Sequence, residues 1–245
     1  MTQENKEGAF LFHLQELRTC LIKSFVGLIV GFSLTAYFSK DIYAYLAQPL
    51  MSVLPEGSHF IAVHPFEGWL TYLKTALVAG FFLALPYILW QVWLFVAPGL
   101  YKKEKRWALF FVMLTSILFM VGSIFGYFYV FPYAFEFFTG ILQDTSVVFL
   151  PQMNSYLGFV FKLLLAFGVI FELPLIVFVV AMTGLVSIEK LFSFQKYMIV
   201  VSFFVAALLT PPDVITQIIM GIPMILLYEL GLLCAWIFKR KKKNS

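Results

Sequence analysis

Glu16, Glu104, Glu172, Asp213, Gln217 and Glu229 are isolated polar side chains inside or beside long apolar runs. They are the places where this sequence could do chemistry. A carboxylate so placed can pair with a cation, most firmly with the two-pronged guanidinium of arginine, or it can relay protons. Glu172 is the most informative of them. It stands in Phe167-Gly-Val-Ile-Phe-Glu-Leu-Pro174, deep in an apolar run from about Tyr156 to Ala181. An acid at the centre of a bilayer costs on the order of 3 kcal/mol or more, so a partner or a water-filled cavity is expected. Lys162 is not that partner, because ten residues of helix put it about 15 Å away along the axis and about 80° around it. Pro174 removes the helical donor for the Ile170 carbonyl, which predicts a bend and a second polar spot beside Glu172.

Glu104 lies in Tyr101-Lys-Lys-Glu-Lys-Arg106. Its cationic neighbours favour the ionised form yet weaken its pull on a further cation. A solvated charge cluster on a short helix opened by Pro98 is the plainer reading of that stretch. No glycine-rich phosphate loop, zinc spacing or Ser/His/Asp arrangement is legible, so we expect neither an enzyme nor a cofactor. His13, His59 and His64 lack ligand spacing, and His59, His64 and Glu67 read as ordinary solvated loop residues, so no metal is expected.

The elements that must hold these residues belong in a membrane. Of the 245 residues 62% are hydrophobic and only 12% charged, with a mean hydropathy of +0.92, far more apolar than a soluble domain. The apolar material falls into blocks of spanning length separated by polar or proline-rich joints. That pattern predicts an all-α integral membrane protein of six spans in a single polytopic domain, at about 20–38, 69–95, 107–131, 156–181, 197–209 and 213–238. The polar start Met1–Gly8, with no small-residue cleavage site after the first apolar block, predicts that the first helix is retained.

Residues 9–24 carry Phe10, Leu14, Leu17 and Leu21 on one helical face and His13, Glu16, Cys20 and Lys23 on another, as an interfacial helix leading into the first span does. Residues 39–68 form a long joint with helical pattern around Tyr43–Leu54, and residues 132–155 form a second. Pro86 is expected to bend the second span. The fifth apolar run, from about Tyr197 to Leu209, rises only about 21 Å, short of a hydrocarbon core of about 30 Å. Thr210-Pro-Pro-Asp213 then reads as a capped start for the sixth helix.

Lysine and arginine set the orientation. Lys40, Lys74 and Lys162 fall on one side and the other fourteen of the seventeen on the opposite side, together with both termini, which predicts cytoplasmic ends. Cys20 and Cys234 then lie at the reducing face, and no disulfide is expected. The basic tail Lys239–Lys243 suits this rule and an anionic lipid surface, so it implies no nucleic-acid role.

Four strings carry a resemblance: His13-Leu-Gln-Glu-Leu-Arg18, Phe95-Val-Ala-Pro-Gly-Leu-Tyr-Lys-Lys-Glu-Lys-Arg106, Ala166–Pro174, and Leu209-Thr-Pro-Pro-Asp-Val-Ile-Thr-Gln217. Each resembles a block of the TatC family, the receptor subunit of the twin-arginine protein translocase, and they occur in that family's order over nearly the whole chain. The resemblance implies a glove-shaped, concave bundle whose fifth and sixth helices are short. It implies a receptor in the bacterial inner membrane that binds signal peptides bearing an arginine pair and helps export folded cargo, driven by the proton gradient. Glu16, Arg18, Phe95 and Glu104 match the signal-peptide site, where paired carboxylates would suit guanidinium better than lysine's ammonium. Glu172, Asp213 and Gln217 match positions where small single-span subunits of the TatA and TatB type and the signal-peptide path meet the bundle, in a multimeric complex. The rival reading is a secondary transporter or proton channel with Glu172 and Glu229 as relay groups, which the absence of an evident matched repeat weakens.

Overall fold

The computed structural model describes residues 3–54, 59–100, 105–142, 150–210 and 214–243, with the side chains of all of these except 3–13, 96–100, 105–108, 138, 141–142 and 241–243. Glu104 and Asp213 lie outside the described residues.

Apart from one isolated bridge, the described residues are helix and turn. The helices are α1 (Gln3–Ala36), α2 (Ser39–Met51), α3 (Glu67–Leu100), α4 (Lys105–Phe125), α5 (Phe131–Leu142), α6 (Met153–Phe171), α7 (Leu173–Thr183), α8 (Ile188–Leu209) and α9 (Val214–Lys243), with a π-helical turn, Gly126–Val130, joining α4 to α5. Six stretches are long and apolar enough to cross a membrane: Leu14–Ala36, Glu67–Phe95, Leu109–Phe137, Met153–Thr183, Ile188–Leu209 and Val214–Arg240. Helix α3 runs on through Pro86.

Two expectations need correction. The third span continues through the π turn into α5, so the first part of the joint expected at 132–155 is helix. The fifth span is not short: α8 extends back to Ile188, and its 22 residues rise about 33 Å. Residues 188–196 include Glu189, Lys190, Gln195 and Lys196, which dilute the apolar signal but are good helix formers. The sixth, at 27 residues, is longer still.

The chain forms two compact units, Met1–Ala44 with Gly68–Ser116, and Tyr45–Glu67 with Ile117–Ser245. In the first, α1 and α3 meet at two glycines. A Cβ on Gly31 would fall 2.3 Å from the Gly80 carbonyl oxygen, so only glycine permits this approach. One turn further along, the Thr35 hydroxyl donates to the Ala76 carbonyl at 2.7 Å.

In the second unit, the buried core between α7, α8 and α9 includes Val177, Ala181, Leu191, Met198, Tyr228 and Leu232. Gly184, at φ +75°, ends α7 in the left-handed conformation that favours glycine, and Ser187 then caps α8 by accepting from the Lys190 N–H. Helix α2 is tied in by two tyrosines. Pro49 has no N–H to give to the Tyr45 carbonyl. The Tyr127 hydroxyl, carried on the π turn, donates to that carbonyl at 2.6 Å while its ring stacks on Tyr45. Tyr156 donates likewise to the Leu46 carbonyl at 2.7 Å.

Glu67 also departs from expectation, being only 4% exposed where a solvated loop acid was anticipated. Its carboxylate accepts from the backbone N–H groups of Val63 (2.6 Å), His64 (3.2 Å) and Asn154 (3.1 Å). It thus holds the start of α3 against the first turn of α6, whose N–H groups have no helical partner. A short bridge runs alongside, Ile61 donating to Pro151 and accepting from Met153.

Candidate functional site

The first candidate cluster is built on α1, α3 and α4. Helices α1 and α3 are antiparallel: Gly27 lies against the Tyr87 ring, Gly31 against Gly80, and Thr35 against Ala76. Glu16 precedes Gly31 by fifteen residues and Phe95 follows Gly80 by fifteen, so each lies about 22 Å from the crossing, toward the same end of the helix pair. Glu16 and Phe95 are half-buried and Arg18 is exposed. Just before Phe95, the α3–α4 hairpin is fastened by Trp93, which stacks on Phe111 at 5.1 Å and donates its indole N–H to the Thr115 hydroxyl at 3.3 Å. Helix α3 stops at Leu100, five residues beyond Phe95, and the joint carrying Glu104 follows in sequence. A half-buried carboxylate and an aromatic ring at one level of a helix pair can receive an extended peptide that is cationic at one point and apolar at the next.

The second candidate lies inside the fourth span. Helix α6 ends at Phe171, and Glu172 forms the break before α7, with Pro174 in the first turn of α7. The Glu172 N–H turns to the Val169 carbonyl at 3.1 Å, a tighter ring than the α-helical one. The helix is therefore interrupted where Pro174 predicts a bend, at the acid itself.

Glycines bring the neighbouring helices close to this bend. A Cβ on Gly122 would sit 2.3 Å from the Phe167 carbonyl oxygen, and one on Gly168 would sit 2.5 Å from the Phe119 ring, so α4 and α6 interlock in both directions. Ser123 adds a hydrogen bond to the Leu164 carbonyl at 3.0 Å. On the other side, Gly231 of α9 lies against Pro174. Glu172 is 8% exposed, and its Oε1 has no hydrogen-bond partner among the described residues. A buried, unmatched carboxylate oxygen is poised to accept from a donor brought by another molecule. Lys162 is exposed, as snorkelling requires.

Gln217 lies away from Glu172 along α9. It is half-buried in the first turns of α9, and Gly231, the residue that touches Pro174, lies fourteen residues further on, about 21 Å along the axis. Glu229 does not join Glu172 either. It stands about 200° around α9 from Gly231 and accepts a hydrogen bond from Gln195 of α8. Sequence reasoning missed this pairing with Gln195 and the buried role of Glu67. Among the described residues no group of three or more His, Cys, Asp or Glu could hold a metal ion. Cys20 and Cys234 are free thiols.

The family described as Sec-independent protein translocase protein (TatC) matches residues 12–223. The chain belongs to the TatC family. Among relatives in it, the TatC protein of Desulforapulum autotrophicum is 46% identical over 100% of this chain and 90% of its own length. Those of Aquifex aeolicus and Escherichia coli are each 39% identical over 95% of this chain, covering 96% and 90% of theirs. A crystal structure of the twin arginine translocase receptor TatC is 38% identical, with a TM-score of 0.79, over 92% of this chain and 98% of that one. A second, of TatC in DDM, gives a TM-score of 0.80 at the same identity. With TatC relatives along its full length and six apolar helices, the chain is a multi-pass membrane protein.

Proposed function

We propose that this chain is the receptor and core scaffold of a twin-arginine translocase in the bacterial inner membrane, with both termini in the cytoplasm. In this reading it binds arginine-pair signal peptides of folded cargo and recruits small single-span subunits for export driven by the proton gradient. The observation that carries the reading is the likeness of nearly the whole chain to solved structures of the twin arginine translocase receptor.

Glu104 and Glu16 take the two guanidinium groups, Arg18 flanks them, and Phe95 supplies the apolar wall for the residues that follow. The level placement of Glu16 and Phe95 on α1 and α3 supports this division of labour. Arginine is preferred because its planar fork can engage a carboxylate with two parallel hydrogen bonds, which a single ammonium cannot. Glu172 accepts a polar side chain from a partner's membrane helix, and Asp213 and Gln217 form a separate contact at the opposite end of α9. The transporter reading gains nothing from the geometry, since Glu229 is turned away from the Glu172 bend and bonded to Gln195.

Charge-assisted hydrogen bonds of this kind are worth enough that Glu104→Gln should lower photo-crosslinking of an arginine-pair signal peptide to the membrane complex by about tenfold or more. Undiminished crosslinking would overturn the assignment of Glu104.

A further inference from the structure

Helices α8 and α9 enclose an open groove of about 480 Å³ that the receptor reading leaves without a role. Its walls include Phe192, Ile199 and Ile225, and its polar lining includes Gln195, Lys196 and Glu229. Gln195 donates its amide N–H to Glu229 Oε1 and so fixes the carboxylate across the helix pair. An ionised carboxylate has further acceptor sites beyond the one that Gln195 takes. Lys196, next in sequence to Gln195, brings a cation to the same level, with its Nζ 5.1 Å from the centre of the Tyr197 ring.

The depth of the groove identifies what can occupy it. At the end of α9 nearest the groove, Arg240 lies 5.2 Å over the Trp236 ring, a pairing typical of the headgroup level. Glu229 is seven residues, about 10 Å, inward of Trp236. The surface around it is apolar, with Val200, Leu226 and Leu230 exposed. A carboxylate and an ammonium at that depth are costly unless charged groups meet them. The occupant therefore carries a cation and an anion of its own, close together, with hydrocarbon attached.

We propose that this groove seats a zwitterionic phospholipid with a primary ammonium headgroup. The ammonium donates to Glu229, the phosphate accepts from Lys196, and the first carbons of the acyl chains lie on Ile199 and Ile225. A quaternary ammonium has no N–H to donate and an anionic glycerol headgroup has only neutral hydroxyl donors, so neither gives Glu229 a charged donor. The inference does not depend on the receptor reading, because it uses only the membrane-spanning α8–α9 pair.

Native mass spectrometry of the full chain in detergent, with phosphatidylethanolamine, phosphatidylcholine and phosphatidylglycerol supplied in equal amounts, tests it. The expected result is one retained phosphatidylethanolamine, preferred about tenfold over the other two, the worth of one charge-assisted hydrogen bond. Glu229→Gln should erase the preference for phosphatidylethanolamine over phosphatidylcholine. Lys196→Gln should weaken all three lipids alike. Equal retention of the three lipids by the unmodified chain would overturn the proposal without recourse to any variant. So would a photo-crosslinker at Ser193 in native membranes that captures a protein helix and no lipid.

Discussion

The Glu16–Phe95 level of α1 and α3 and the Glu172 bend of α6 and α7 handle a carboxylate in opposite ways. Glu16 is half-buried, on helices pinned to each other about 22 Å away by Gly31 and Gly80. Glu172 is buried, with one oxygen unmatched, at a break that glycines on α4, α6 and α9 crowd from two sides. In the function proposed above, the first arrangement receives a cationic chain that comes and goes. The second keeps a donor-hungry group inside the bilayer and so favours a helix that already resides there. In the same proposal, cargo recognition and subunit recruitment fall to these two different environments.

That contrast can be broken most forcefully at the packing around Glu172. Gly122→Ala drives a methyl group to within 2.3 Å of the Phe167 carbonyl oxygen, against backbone that cannot rotate away. We expect a loss of about 3 kcal/mol in reversible unfolding in mixed micelles, at the upper end of ordinary overpacking. A neutral result would show that α4 and α6 are not locked at the bend.

A smaller effect is expected where the same unit receives α2. Tyr127→Phe removes the donor that replaces Pro49's missing N–H and should cost about 1–2 kcal/mol. In a Pro49→Ala background the restored N–H can reach the Tyr45 carbonyl, and the cost should fall to about half or less. Equal costs in both backgrounds would sever the link between the π turn and Pro49.

The two acids themselves give the finest test. Glu172→Met should stabilise the isolated chain by up to about 1 kcal/mol, since it replaces a buried group with an unmet acceptor by an apolar one of similar size, yet it should reduce co-purification of the single-span subunits. Glu16→Gln, at a half-exposed position, should change stability by less than about 0.5 kcal/mol while weakening signal-peptide binding. If both substitutions left stability unchanged and impaired the same step, the two regions would not be distinct.

Much of this was legible from residue order. Spanning length and apolarity located six helices, and Pro174 after Glu172 announced the bend, because both are local rules. What escaped was non-local. Glu67 looked like a loop acid because its partners are backbone N–H groups of Val63, His64 and Asn154, and backbone donors leave no mark in a sequence. Its one visible signal was an acid at the first residue of a helix, where the unpaired N–H groups attract negative charge. The Gln195–Glu229 pair joins residues thirty-four apart in sequence. The polar start of α8 hid half of a helix from a criterion tuned to apolarity. The distance of Gln217 from the Glu172 break likewise shows only in the Gly231–Pro174 contact.

The division between the two regions is tested most directly by photo-crosslinking residues placed beside each acid, at Lys103 next to Glu104 and at Val169 one turn before Glu172, in membranes holding an arginine-pair precursor. Position 103 should yield signal-peptide adducts, and exposed position 169 should yield adducts with the single-span subunits. Signal-peptide adducts at 169 with none at 103, or the same adducts from both, would contradict the account.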